Sequence, residues 1–296
     1  MEDLLANLLR GVRPDLETLI RVFGEALPVL HQLGDTPQDP EWHGEGDVAI
    51  HTQMVLDELY GFLTSETPED QRELILGVLF HDLAKPWVTR EMEIRGVNRI
   101  AAPRHESIGR SALAVAMVDR GLPWASLWRV MGMVGSHNEP KLLVVKDRER
   151  GDYCRVSRKV DMRQVALLER ADMTGRTCPD KEKQLEHIDM FSMFTQDWAP
   201  EGWQEGWRSH FRTLMEGRSQ AFQDRVFGEA IRALESGKVG SPEEAEFIMH
   251  QEPEAPPELV VLCGPSGSGK STFVETYLRD HEVISMDALD LEQFGG

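Results

Sequence analysis

The chain has 296 residues, 41% of them apolar and 28% charged, which is enough apolar material for a proper core and excludes global disorder. A formal net charge of −19 argues against broad duplex binding, where phosphate neutralisation supplies most of the affinity, although a local cation cluster could still hold one terminal phosphate. No stretch reaches a membrane-spanning length of apolar residues, the N-terminus lacks the basic start of a secretory signal, and the scattered Cys154, Cys178 and Cys263 form no CxxC pair. A reducing, cytoplasmic setting without membrane attachment is expected.

Residues 1 to about 245 read as mostly helical, because apolar positions recur at three and four and strand-like alternation is scarce. Thr36 to Pro40 is a loop before a helix whose stripe runs through Val48, His51, Val55 and Leu59. Thr67 should cap the next helix with Pro68 in its first turn; its stripe passes Leu74, Val78 and His81, and Pro86 is expected to end it. His105 opens a helix read as facing inward through Ile108, Ala112 and Val115. Val130, Val134 and His137 form another stripe, and Val165, Leu168 and Asp172 another. The charged run Lys146 to Lys159 reads as a solvated connection, with Arg155 and Arg158 able to reach a phosphate. The Trp- and Gly-rich stretch from Trp198 to Trp207 reads as packing of a helical C-terminal lobe, with stacking on bases as the alternative. An acidic, Pro-rich boundary covers 241–258, and the linker is placed at 246–257.

Composition then changes. Leu259-Val260-Val261-Leu262-Cys263 suits a buried parallel strand. It leads into Gly264-Pro265-Ser266-Gly267-Ser268-Gly269-Lys270-Ser271, which fits Gly-x-x-x-x-Gly-Lys-Ser/Thr in a strand–loop–helix setting. In such a P-loop, backbone N–H groups from Gly264, Ser266, Gly267, Ser268 and Gly269 curl around phosphates. Lys270 reaches the β- and γ-phosphates, Ser271 with Thr272 behind it meets magnesium, and the helix presents its positive end. Val283 to Asp287 reads as a second strand. The chain ends soon afterwards, so 258–296 is expected to be only the N-terminal part of a kinase domain.

His51, His81, Asp82, His105, His137 and Asp172 each lie on the apolar stripe of a separate helix, and such stripes face inward. A buried charge is costly unless paired or bound to metal, so several helices should direct polar groups at one interior place. Neutral imidazole and carboxylate suit a divalent transition metal: manganese, iron, cobalt, nickel or zinc, as one ion or two. Lys85, three residues after Asp82, is a candidate to hold a phosphate, as are Arg104, Arg170 and Arg176. His43 lies in a Gly-rich loop from which it could contact a substrate or protonate a leaving group.

Pro37 to His43, Gly46 to Thr52, Phe80-His81-Asp82-Leu83-Ala84-Lys85 and Arg170-Ala171-Asp172 together resemble the HD phosphohydrolase superfamily, over roughly residues 35 to 180. The likeness is strongest to the HD domains attached to tRNA CCA-adding enzymes. With a P-loop behind it, the architecture resembles the bacterial HD-domain polynucleotide kinases, which repair nucleic-acid ends. The resemblance implies an all-helical HD domain over 1–245, followed by the strand–P-loop–helix–strand beginning of an α/β kinase domain, mainly α overall. It implies that His51, His81, Asp82 and Asp172 hold a first metal, and that His105 and His137 extend the site to a second, with Asp82 bridging. It implies removal of a 2′-phosphate, 3′-phosphate or 2′,3′-cyclic phosphate from RNA or DNA ends. The kinase module would phosphorylate a 5′-hydroxyl from Mg-ATP, with Asp287 activating that hydroxyl. Such kinases often carry an Arg shortly after that Asp; here Asp290 stands in its place, which puts kinase activity of this chain in doubt.

Metal-assisted phosphoester hydrolysis therefore leads, with Asp82 and Lys85 in the chemistry. A nucleotidase acting on free nucleotides and a non-enzymatic nucleotide sensor are the alternatives. Oligomeric state is left open.

Overall fold

The computed structural model describes residues 1–251 and 259–285. Packing divides the chain into two units, Met1–Gln251 and Glu252–Gly296. The first is mainly helical: α1 (Glu2–Leu9), α2 (Leu16–Phe23), a 3-10 segment (Pro28–Asp35), α3 (Val48–Phe62), α4 (Pro68–Phe80), α5 (Lys85–Val88), strands β1 (Arg90–Ile94) and β2 (Val97–Ala101), α6 (His105–Ala116), α7 (Trp124–Ser136), α8 (Glu139–Val145), α9 (Arg150–Ser157), α10 (Met162–Thr174), α11 (Lys181–Trp198), α12 (Trp203–Leu214), α13 (Gln220–Glu235) and α14 (Ile248–Gln251). No helix among the described residues is long and apolar enough to cross a membrane.

Helix α10 packs against α3, α4, α7, α8 and α11, while α6 lies along α7 and α4 touches both α3 and α7. The stripes through Val48, Val55 and Leu59, through Leu74 and Val78, through Val130 and Val134, and through Val165 and Leu168 are all buried, each such side chain contributing roughly 1.5–3 kcal/mol. Side-chain caps fix where these helices begin. Asp47 accepts from Ile50 N at 2.9 Å, Thr67 from Asp70 N at 3.1 Å, and Asp161 from Arg163 N and Gln164 N at 2.9 and 3.0 Å, satisfying donors that a helix start leaves open. At the far end of α10, Gly175 lets two backbones meet: a Cβ there would lie 2.8 Å from Val55 N on α3.

Local readings change in several places. The His81 helix stops at Phe80; His81 to Ala84 form a turn, and Pro86 sits in the first turn of α5. A proline fits a helix start as well as a stop, since its missing N–H would be unpaired there anyway. The antiparallel hairpin, which pairs Ile94 with Val97, departs from the all-helical expectation for 1–245. Its two-residue turn has Arg95 at φ 53° and Gly96 at φ 79°, the twist a tight hairpin prefers, and Met92 and Ile94 alternate with exposed Glu91 and Glu93. On α6 the buried face is His105, Gly109 and Leu113, and Val115 is 84% exposed. Counting in fours from His105 meets α7; the apolarity of Val115 marked the wrong side. The Lys146–Lys159 run is not a solvated connection either, because α9 within it buries Tyr153 and Cys154, which extend the core toward α11 and α13.

In the C-terminal lobe Tyr153, Phe194 and Trp198 pack as an aromatic cluster, and Trp207 and Phe211 are buried. Ala245 and Ile248 join the same core, so helical packing continues to Gln251.

In the second unit a glycine-rich loop precedes α15 (Lys270–Tyr277). Residues 259–263 form no strand, and neither do 283–285, the described part of the second expected strand; Leu259 and Val261 are exposed. A strand needs a neighbour to pair its N–H and C=O groups, and none stands beside this segment among the described residues. Residues 252–257 of the expected linker, Asp287 with the end of the second expected strand, and Asp290 lie outside the described residues.

Candidate metal centre

The elements around α10 bring the six sequence candidates together near helix ends. His51 comes from α3, His81 and Asp82 from the turn after α4, His105 from the first residue of α6, His137 from the end of α7, and Asp172 from α10; all are buried. His51, His81, His137 and His105 follow one another at ring separations of 5.5, 5.3 and 5.2 Å. Asp172 Oδ1 lies 2.9 Å from His51 Nε2. Asp82 stands in the middle: Oδ2 is 3.2 Å from His81 Nε2 and 3.9 Å from His51 Nε2, while Oδ1 is 3.3 Å from His105 Nε2. His105 and His137 bring their Nε2 atoms to 3.3 Å.

The backbone orients three of these rings. Nδ1 of His81, His105 and His137 lies 2.7, 2.8 and 2.9 Å from the carbonyl oxygens of Val78, Ala102 and Val134. A carbonyl only accepts, so Nδ1 carries a proton and each ring turns Nε2 toward the centre, where it can bind a cation once that nitrogen is unprotonated. On His51 the outer partner is a carboxylate, Glu45 Oε1, 2.9 Å from Nδ1. Outer carbonyl and carboxylate partners of this kind are what metal-binding histidines use to fix orientation and basicity.

His51, His81 and Asp82 form one group able to hold a cation, and Asp82, His105 and His137 another. The donors fit such an ion: His81 Nε2 is buried without an aligned hydrogen bond, and His51 Nε2 and Asp82 Oδ2, likewise unaligned, have only the charged contacts to Asp172 and Lys85, so a cation would complete them. Asp82 belongs to both groups through different oxygens. His43, Glu45 and His51 also cluster, but there Glu45 faces Nδ1 of both rings, at 2.9 Å each, as an outer partner.

Electrostatics favour ionised carboxylates here. Burial alone would raise Asp82, but His81, Lys85 and His105 beside it outweigh burial and hold Asp82 well below its ordinary value. Burial opposes ionisation of Asp172 too, and is overcome by the Arg176 charge, whose guanidinium reaches both Asp172 oxygens at 2.7 Å. Glu45 is likewise held low against burial by His43, His51 and the Thr177 N–H. Burial pushes His43 down to about 3 and His137 well below its usual range, the latter helped by His105 and His81. His105 is raised: burial opposes this, but the bond to Asp82 prevails. A metal would compete with that proton.

A cavity of about 260 Å³ opens on the centre, bordered by Gln38, Trp42, His43, Lys85, His105 and Asn138 among others. Lys85 Nζ lies 2.7 Å from Asp82 Oδ2 and donates to Gln38 Oε1 at 2.6 Å. Glu45, Gln38 and Asn138 escaped the sequence reading because they come from loops and a helix cap with no periodicity to mark them; Asn138 Nδ2 lies 3.2 Å from His137 Nε2. Of the candidate arginines, Arg176 is at the centre as the partner of Asp172. Arg170 pairs with Asp189 and borders a larger cavity of about 900 Å³ that none of the six candidates lines. Arg155 and Arg158 pair with Asp152 and Glu235, and Arg104 is exposed at the cap of α6.

In the second unit, Gly267 and Gly269 adopt φ of 77° and 83°, where a side chain would be strained. Ser266, Ser268, Ser271 and Thr272 are exposed with the glycines, and Lys270 Nζ donates to the carbonyls of Gly264 and Pro265 at 2.7 and 2.8 Å.

No family model and no solved structure matches this chain. It is 32% identical over 95 residues to lipoxygenase 2, chloroplastic, of Tanacetum cinerariifolium, a stretch of 32% of this chain and 10% of that protein. The match thus spans about a tenth of that relative's length and assigns no family to this chain.

Proposed function

We propose that the first unit is a metal-dependent phosphoesterase of the HD type that removes a 2′-phosphate, 3′-phosphate or 2′,3′-cyclic phosphate from RNA or DNA ends in the cytoplasm. The observation that carries the reading is Asp82, whose two oxygens face two separate groups of imidazoles beside Lys85 at a cavity. His51, His81, Asp82 and Asp172 would hold one ion of manganese, iron, cobalt, nickel or zinc, and His105 and His137 with Asp82 a second. A bound ion supplies a water of lowered pKa and neutralises phosphate oxygens. Lys85 contributes a positive charge at the cavity wall for a non-bridging phosphate oxygen. His43, kept neutral by burial with Nδ1 against Glu45, offers Nε2 as a hydrogen-bond acceptor to the substrate.

The second unit supports a nucleoside-triphosphate-binding P-loop. Gly264, Ser266, Gly267, Ser268 and Gly269 would cradle phosphates, Lys270 would leave its two carbonyls for them, and Ser271 with Thr272 would meet magnesium. A 5′-hydroxyl kinase with Asp287 as its base belongs to the same proposal.

A second reading is hydrolysis of free nucleotides. A cavity of about 260 Å³, below the ~300–1,000 Å³ common for ligand sites, suits one nucleotide, whether free or terminal. Phosphate release from oligonucleotides ending in 2′-, 3′- or 2′,3′-cyclic phosphate, across a divalent-metal series with Asp82→Ala and free nucleotides alongside, separates the two. Metal-dependent release from ends that vanishes in Asp82→Ala supports the first reading. Release from free nucleotides alone supports the second, and no release with any metal removes both.

A further inference from the structure

We infer that Trp42 and Arg99 form a nucleobase subsite at the mouth of the cavity, stacking the base of the nucleotide whose 2′- or 3′-phosphate reaches Lys85 and the imidazoles. The inference rests on the phosphoesterase reading for the identity of that phosphate, and on the following geometry for the base.

Trp42 borders the same cavity as His43, Lys85 and His105 and remains 38% exposed, a large apolar ring left partly in water beside charged groups. It sits in a tight turn in which Trp42 N and His43 N donate to Asp39 O at 3.1 and 2.7 Å. The next residue, His43, is therefore already at the imidazole centre. The Arg99 guanidinium covers one side of the indole, 5.0 Å from the ring centroid, and is itself held by Asp39 Oδ1 at 3.1 Å and Glu41 Oε2 at 2.5 Å. Asp39 is buried and also accepts from Glu41 N and Ile100 N at 3.1 and 3.2 Å, so one carboxylate ties the turn to β2.

The result is an aromatic platform fixed in place before any ligand arrives, which limits the entropy lost on binding. Trp42 thus keeps exposed surface beside the cavity that a base can meet. Planar bases stack on such a ring whatever their identity, and the guanidinium over the indole holds the ring in place. Stacking involves no net charge on the base, so it suits a chain whose overall charge of −19 repels polyanions. Free nucleotides and terminal nucleotides share this chemistry.

The test uses 2-aminopurine riboside 3′-phosphate, free or as the terminal residue of a short oligonucleotide, because its fluorescence is quenched on stacking. It is titrated into the full chain, Trp42→Ala and Trp42→Phe, with urea midpoints checking that each variant is folded. Wild type should show saturable quenching, Trp42→Ala should bind about tenfold more weakly without quenching, and Trp42→Phe should recover most of both. The preference for adenosine 3′-phosphate over ribose 3-phosphate, read by phosphate release, should fall about tenfold in Trp42→Ala. Quenching by the free form only, or by the oligonucleotide end only, supports the subsite and names its source. No quenching by wild type, unchanged binding in Trp42→Ala, or equal weakening toward ribose 3-phosphate would overturn it. Saturable quenching without phosphate release under any metal would leave the subsite standing and remove the phosphoesterase; release without quenching would do the reverse.

Discussion

The imidazole centre of the first unit and the glycine-rich loop of the second both have groups suited to holding charge, and they are made from opposite materials. The centre is built of buried side chains from four helices and a turn, most of them oriented by a neighbour: a carbonyl behind His81, His105 and His137, Glu45 behind His51, Arg176 behind Asp172. The loop is backbone in solvent, shaped by Gly267 and Gly269 at positive φ, with Lys270 resting on two carbonyls. Charge held by buried side chains depends on the packing of the whole unit, whereas charge held by a local loop does not. Substitutions should therefore couple binding to stability in the first unit and leave them separate in the second.

The coupling should be largest where an outer partner is removed. Glu45→Ala takes away the carboxylate behind His51 and His43, and metal affinity is expected to drop about 10–100-fold, as isothermal titration would measure. A drop below twofold would mean that Glu45 does not orient His51. Next is packing behind the centre. Gly175→Ala puts a Cβ 2.8 Å from Val55 N, and such overpacking should cost about 1–3 kcal/mol of unfolding free energy. Metal affinity should weaken with it, since α3 and α10 carry His51 and Asp172.

Acid should act through His43. Its folded value of about 3 lies below the ordinary 6.5, so the unfolded chain binds the extra proton, and stability falls as pH drops through 6.5 toward 3. Between pH 7.5 and 5.5 this amounts to about 1.4 kcal/mol, which His43→Asn should remove from the pH dependence of the urea midpoint. An identical slope in wild type and variant would contradict the assignment. The smallest effect belongs to the loop: Lys270→Ala should change the unfolding free energy by under about 0.5 kcal/mol while abolishing ATP binding, and a larger stability loss would contradict the separation.

The inward stripes of α3, α7 and α10 were legible because helical periodicity at His51, His137 and Asp172 agrees with their buried apolar neighbours. Periodicity said less where the chain leaves a helix. His81 and Asp82 sit in a turn, where adjacent residues can face one centre together, and Pro86 fits a start as well as a stop. On α6 the presence of Val115 outweighed the correct spacing through Gly109, because glycine carries no apolar signal although it is what lies against Val134. Glu45 and Gln38 come from a loop whose position is set by its contacts with Thr177 and Lys85, distant in sequence and invisible to any local pattern. The glycine loop is the reverse case: its motif is local and readable at once, while the strand expected before it needs a partner strand that no local pattern contains, and 259–263 form none.

The central claim is that Asp82 joins two groups of imidazoles into one metal centre. Titrating cobalt(II) into the full chain and into Asp82→Ala, with heat and visible absorption read together, tests it most directly. Saturable binding of up to two ions, lost by more than about a hundredfold in Asp82→Ala, is the predicted result. No saturable uptake by the wild type, or an Asp82→Ala titration that overlays it, would contradict the account.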